Sequence, residues 1–287
     1  LQNTTAAAGA AAERKKTMKK IAFYGKGGIG KSTTAANVSA AWAEQGHAVC
    51  QIGCDPKNDS TRLLLGKTCK QTVLDMVRRY GEDVATEHVV HTGFGGVKCV
   101  EAGGPEPGVG CAGRGIIVAL EKLKALQSVP EDHIVLYDVL GDVVCGGFAV
   151  PIREGYATDI YIVSSGELMS LYAANNIAKG VARFAARGQV RLGGIIGNSR
   201  TISNEQALLT EFAAKLNTRL VALIPRDKTV HQAEIRRQTV ISWQPDCHQA
   251  DVYRQLSRLL LDNRELSIPT PLKFEDLEEL VLRYGQE

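Results

Sequence analysis

Tyr24-Gly25-Lys26-Gly27-Gly28-Ile29-Gly30-Lys31-Ser32-Thr33-Thr34 reads as a phosphate-binding loop, and it dictates what must surround it. In such a loop glycines let backbone N–H groups close around phosphates, the last lysine neutralises them, and the next hydroxyl ligates Mg²⁺. Gly27, Gly28 and Gly30 supply the backbone here, and Lys31 and Ser32 fill the other two roles. Lys26 comes too early to serve the same phosphates, so its expected target is a nucleotide held by a second copy of the chain. The loop therefore predicts an ATPase that works as a face-to-face dimer. A purely structural glycine turn is the competing reading. Against it stand the strand-like Lys20-Ile21-Ala22-Phe23-Tyr24 ahead of the loop and the alanine-rich helical run behind it, the context the motif demands.

Outward from the loop, short apolar runs alternate with helical patterns. Strands are expected at Ile21–Tyr24, Ala48–Gly53, His133–Tyr137, Ile160–Val163, Leu192–Ile196 and Leu220–Ile224, and helices at about 31–45, 115–126, 170–187, 204–216 and 251–262. Continuous apolar strands separated by helices imply an α/β fold, a mainly parallel sheet flanked by helices on both faces. With the two-lysine (deviant Walker A) loop this is a P-loop NTPase, whose ligand should meet the loops at the strand C-terminal ends. Residues 1–17, alanine-rich and ending just before Met18, are set aside as a flexible leader, leaving 18–287 as one domain. The 287 residues are 44% hydrophobic but hold no run of the ~18 apolar residues that a membrane span needs. No secretion signal opens the chain, so a cytoplasmic protein without membrane contact is expected. A net charge of +3, with no basic stripe interleaved with aromatics, gives no reason to expect nucleic acid.

Two loops carry unusual chemistry. After the second strand comes Gly53-Cys54-Asp55-Pro56-Lys57-Asn58-Asp59-Ser60-Thr61, and after the third Asp138-Val139-Leu140-Gly141-Asp142. An aspartate at the tip of an apolar strand suits the Mg²⁺ water shell, and a glycine shortly after it can sense a terminal phosphate through its N–H. Asp138 and Gly141 match those roles, while Asp55 and Asp142 are placed to orient or deprotonate the attacking water; a carboxylate that merely caps a turn remains the alternative for either. The seven cysteines, an odd number, do not form a disulfide framework in a cytoplasmic chain. Cys50, Cys69 and Cys247 read as small buried hydrophobes. Cys111 and Cys145, embedded among glycines, can approach something large. Two ligands per chain become four in a symmetric dimer, the number a [4Fe–4S] cluster requires; interfacial zinc is the competing metal, although no C-x-x-C clip supports it.

The stretches Gly25–Thr33, Gly53–Lys57, Gly95–Glu101, Gly103–Gly115 and Tyr137–Phe148 closely resemble the nitrogenase iron proteins (dinitrogenase reductases) and their nitrogenase-like relatives, with similarity from about Lys19 to Gly285. That resemblance implies a homodimer with one [4Fe–4S] cluster between subunits, ligated by Cys111 and Cys145 of each chain. It implies MgATP and MgADP as the nucleotides: Lys26, Lys31, Ser32 and Thr33 contact phosphate and Mg²⁺, Asp55 and Asp59 lie in a first switch, and Asp138 and Asp142 in a second. Asn198, Pro225, Asp227, Glu234, Gln249 and Tyr253 would form the adenosine pocket. Cys99 matches a family cysteine that is not a cluster ligand and is assigned to packing. A low-potential ferredoxin or flavodoxin would donate electrons, and a nitrogenase or nitrogenase-like catalytic component would receive them.

On that resemblance, Asp138 and Cys145 share one segment, so a phosphate-dependent movement at Gly141 can reach a cluster ligand directly, and ATP gates a one-electron delivery. Arg114, just past Cys111, is the expected docking contact on the cluster rim, and in some family members the matching arginine is ADP-ribosylated; an ordinary solvated arginine is the alternative. Dark-operative protochlorophyllide and chlorophyllide reductase components resemble the chain less around Cys111-Ala112-Gly113-Arg114. Three departures from typical nitrogenase iron proteins tip the reading toward a nitrogenase-like system, methylthio-alkane reductase first, with nitrogenase itself the alternative. The chain stops at Glu287 where a tail usually follows, although a sequence ending before the tail would look the same. Gly197 stands where cysteine is usual, and His231 where glutamine is. Partition, septum-positioning and targeting ATPases, which share the two-lysine loop and carry no redox centre, form the remote alternative.

Overall fold

In the computed structural model the described residues are 19–104, 112–141, 150–186, 188 and 190–285; the leader expected at residues 1–17 lies outside them. Eight strands form one sheet: β1 (Lys20–Tyr24), β2 (Val49–Cys54), β3 (His91–Thr92), β4 (Lys98–Glu101), β5 (Ile134–Val139), β6 (Asp159–Ser164), β7 (Arg191–Asn198) and β8 (Leu220–Ile224). They lie in the order β3-β4-β2-β5-β1-β6-β7-β8, every pair parallel except the edge pair β3–β4. The expected α/β architecture is therefore present, and the six strands read from the sequence occupy six consecutive places in this sheet.

Alternation along each strand explains the two covered faces, because successive side chains point to opposite sides. Ala22, Tyr24, Val135, Tyr137 and Val139 join one apolar cluster, while Ile21, Phe23, Ile134 and Leu136 join the other. The principal helices on the described residues are α1 (Lys31–Glu44), α2 (Arg62–Leu65), α3 (Val73–Tyr80), α4 (Thr86–Val89), α5 (Ala112–Ala125), α6 (Val150–Arg153), α7 (Leu168–Ala185), α8 (Glu205–Lys215), α9 (Lys228–Ile235), α10 (Val240–Trp243), α11 (His248–Asp262) and α12 (Phe274–Gly285). Leu277 and Leu280 of α12 complete the first cluster, and Trp42 of α1 with Leu256 and Leu260 of α11 the second. Small residues at Ala35, Ala36, Ala40 and Ala41 let α1 lie buried between sheet and α11, where the Trp42 indole N–H donates to Ser257 O at 2.9 Å.

The sequence-based reading missed β4 and α3. A strand of four residues, charged at both ends, shows too little period to declare itself; pairing with β2 is what buries it. Thr72 starts α3 by accepting the Asp75 N–H at 3.2 Å, a side-chain cap that satisfies an orphan donor.

Candidate nucleotide and switch site

Register brings the site residues to one end of the sheet. Asp138 pairs with Phe23 on β1 and with Gly53 on β2, and Gly53 pairs in turn with Glu101 on β4. The loops after β1, β2 and β5 therefore meet above the sheet, where ligands bind in parallel α/β folds.

The phosphate loop departs from regular backbone where a side chain could not follow. Gly28 and Gly30 have φ of 74° and 92°, in the left-handed region that glycine tolerates, and a Cβ on Gly30 would collide with Asn198 Nδ2. Two side chains, from the last residue of β7 and the loop after it, grip it: Asn198 Nδ2 donates to Ile29 O and Arg200 Nη2 to Gly28 O, each at 2.6 Å. Glu205 braces that loop by accepting from Ser199 Oγ at 2.6 Å, from the Arg200 N–H at 3.0 Å, and from the Gly166 N–H at 2.8 Å. Neither Arg200 nor Glu205 is among the site residues expected from the sequence; only the long-range contacts show what they hold.

Lys31 Nζ lies 3.4 Å from Asp138 Oδ1, with both side chains nearly closed off from solvent. Neither Asp138 oxygen has a hydrogen-bond partner among the described residues, so the pair faces the loop with unspent acceptors. Such buried acceptors are costly alone, and they suit a hydrated Mg²⁺ beside phosphate. Desolvation, then the Asp55 and Asp138 carboxylates, raise the Asp59 carboxyl above its usual range, a repulsion that a divalent cation would relieve. Among the described residues no three His, Cys, Asp or Glu groups converge closely enough to bind a metal directly. Ser32 and Thr33 open α1, and Thr33 Oγ1 donates to Glu234 Oε1 at 2.5 Å. Asp55 Oδ1 accepts the Lys57 N–H at 3.0 Å, a turn contact that leaves its other oxygen for further chemistry. Gly141 packs on Gly25 so tightly that any Cβ would collide with the Gly25 backbone, joining the segment after β5 to the phosphate loop. Lys26, partly exposed, makes no side-chain hydrogen bond or ion pair among the described residues.

Beside the loop opens a cleft of about 330 Å³ whose walls include Gly28, Gly30, Thr33, Asn198, Pro225, Asp227, Glu234 and Tyr253. Five of the six residues expected around adenosine thus lie together. Gln249 is buried beside the Tyr253 hydroxyl rather than on the cleft wall. Arg226, Val230 and His231 add to the lining. Asp227 caps α9 by accepting the Thr229 N–H at 2.7 Å, and the Thr229 hydroxyl, then that backbone bond, hold its carboxyl below the usual range. Cys111, Asp142 and Cys145 lie outside the described residues. Arg114 is exposed on the first turn of α5.

The five described cysteines are free thiols. Cys50, Cys54, Cys69 and Cys99 are buried. Burial pushes the Cys50 thiol up to about 12 and the Cys54 and Cys99 thiols higher still; a neutral buried thiol is a poor metal ligand.

The family model of 4Fe-4S iron sulfur cluster binding proteins, NifH/frxC family, matches residues 19–287. The chain belongs to this family. Solved structures show how widely the family's fold is shared. The septum site-determining protein MinD of Pyrococcus horikoshii OT3, complexed with Mg-ADP, superposes with a TM-score of 0.66 at 17% identity, over 84% of this chain and 94% of that one. A ParA family ATPase from Chlorobium tepidum TLS gives 0.60 at 20% identity, covering 86% and 97%. The cobyrinic acid a,c-diamide synthase of Mycobacterium smegmatis, with bound ATP analog and magnesium, gives 0.60 at 20%, covering 85% and 94%. At these identities the likeness is one of fold, the P-loop ATPase fold that the phosphate loop predicts.

Proposed function

We propose that the protein is the ATP-dependent reductase component of a two-component system. In this reading a cytoplasmic homodimer hydrolyses MgATP and delivers single electrons from a [4Fe–4S] cluster between its subunits to a nitrogenase or nitrogenase-like catalytic partner. The family match over residues 19–287 carries the proposal, because it spans the phosphate loop and both glycine-embedded cysteines. Cys50, Cys54, Cys69 and Cys99 are buried and Cys247, expected to be buried too, is partly exposed; the resemblance to the nitrogenase iron proteins is what makes Cys111 and Cys145 the ligands in this reading. The cluster, when bound, supplies reversible one-electron storage.

The chain's own residues would do the rest. Lys31 neutralises phosphate, Ser32 ligates Mg²⁺ and Asp138 holds its water shell, while Thr33, anchored on Glu234, faces the same group. Asp55 or Asp142 orients and deprotonates the attacking water, and Lys26 reaches the partner subunit's nucleotide. Gly141, wedged on Gly25, releases when the terminal phosphate leaves, and the segment running on to Cys145 follows. Exposed Arg114 meets the catalytic partner, and a low-potential ferredoxin or flavodoxin recharges the dimer.

Among partner systems, Gly197 and His231 favour a nitrogenase-like reductase such as methylthio-alkane reductase over dinitrogenase reductase itself. A side chain at 197 would run into Leu223 and Leu209, so the packing around this position fits glycine. The likeness to MinD and ParA proteins favours the second reading, a non-redox partition or targeting ATPase. Anaerobic purification followed by MgATP-dependent acetylene reduction with a purified nitrogenase catalytic component separates the three. Turnover supports nitrogenase, an iron-loaded but inactive dimer supports a nitrogenase-like partner, and a dimer without iron supports the non-redox ATPase.

A further inference from the structure

Glu101, the last residue of β4, has no part in the mechanism above, yet it is fully buried. Its Oε1 accepts both the N–H and the hydroxyl of Thr61, each at 2.7 Å. Its Oε2 has no hydrogen-bond partner among the described residues and packs on Gly53, where a methyl group would collide with it. The chain leaving β4 stays on the same neighbour: the Ala102 N–H donates to Gly53 O at 2.8 Å, and a Cβ on Gly104 would fall 2.5 Å from Pro56 Cβ. The contacts at Gly53, Pro56 and Thr61 bracket Asp55 and Asp59, the two carboxylates of the first switch.

Resting on the iron–sulfur reading of Cys111, we propose that Glu101 is a positioning residue. It couples the first switch to the strand end from which the chain runs on toward that ligand. A buried carboxyl is costly unless its bonds are made. Movement of Thr61 would strand Oε1 beside an Oε2 that already lacks a partner, so the end of β4 must follow the switch. The first switch thereby acquires a route to Cys111 parallel to the one from Asp138 to Cys145. Burial first, then the nearby Asp138 and Asp59, favours the neutral carboxyl; a glutamine therefore preserves both the shape and the acceptor that Thr61 uses.

The test takes the anaerobically purified, iron-loaded full-length dimer and follows iron removal by a chelator with and without MgATP. Saturation is verified by binding in parallel for wild type, E101Q, E101A and T61V. E101Q is expected to keep the MgATP-dependent change in chelation rate, and E101A to diminish it on the order of tenfold. T61V, which loses the hydroxyl donor alone, falls between them. A wild-type response in E101A and T61V, even with lowered thermal stability, overturns the coupling and leaves the iron–sulfur reading standing. Should E101A fail to fold, a wild-type response in T61V overturns it by itself. A wild-type dimer without iron overturns the iron–sulfur reading, and the coupling falls with it.

Discussion

At Glu101 the environment, not the residue type, sets the chemistry. Burial pushes its carboxyl from an ordinary 4.5 up to about 8. A carboxyl whose folded-state pKa is raised binds more protons in the folded chain than in the unfolded one between those values. The group's contribution is complete below about 4.5 and is lost as pH rises through about 8. Chemical denaturation of wild type and E101Q from pH 4.5 to pH 8.5 should show stability falling with pH more steeply in wild type; parallel curves would refute the assignment. Gly141 offers a second test at this scale. Gly141→Ala cannot keep its contact with Gly25 without moving backbone. It should lower ATP hydrolysis at least about tenfold, the effect of misplacing a group that organises a reacting phosphate, while thermal unfolding shows a folded chain.

Elements are joined by a few buried polar hubs. Asn263, at the end of α11, donates to the Tyr161 hydroxyl on β6 and to Gly193 O on β7, both at 2.9 Å, and accepts from Arg219 at 2.8 Å. Asn263→Ala strands those groups in the interior, at an expected cost of about 3 kcal/mol, readable as a shift in denaturant midpoint with an unchanged m-value. Helices read from the sequence fall within a few residues of their observed ends because a long apolar period survives local noise. α1, for instance, spans Lys31–Glu44 against an expected 31–45. Short elements such as β4, whose identity comes from its neighbour β2, were not legible in this way.

For the molecule as a whole, the proposed function requires two chains. A purified wild-type dimer should carry ~4 Fe. Cys145→Ser should remove the iron while leaving MgATP binding within about threefold of wild type, since the cleft beside the phosphate loop is lined by residues such as Asn198, Pro225, Asp227 and Glu234, none of them a proposed cluster ligand. Iron retained at the wild-type level would sink the ligand assignment, whatever the ATPase rate.

The phosphate loop, the strand and helix alternation and the family are all written in contiguous residues, because backbone closure around phosphate, apolar periodicity and ordered motifs are local properties of a chain. That Asn198, Pro225, Asp227 and Glu234 belong to one site was expected from the family resemblance, and the structure places them around one cleft. Sheet order decided the rest. Only the placing of β5 between β2 and β1 sets Asp138 beside both Phe23 and Gly53. Only the pairing of β4 with β2 turns Glu101 from an ordinary acidic residue into a buried acceptor for Thr61. Partners forty residues apart or more meet by register and close packing, and no local pattern in the sequence states which of many carboxylates will lose its water.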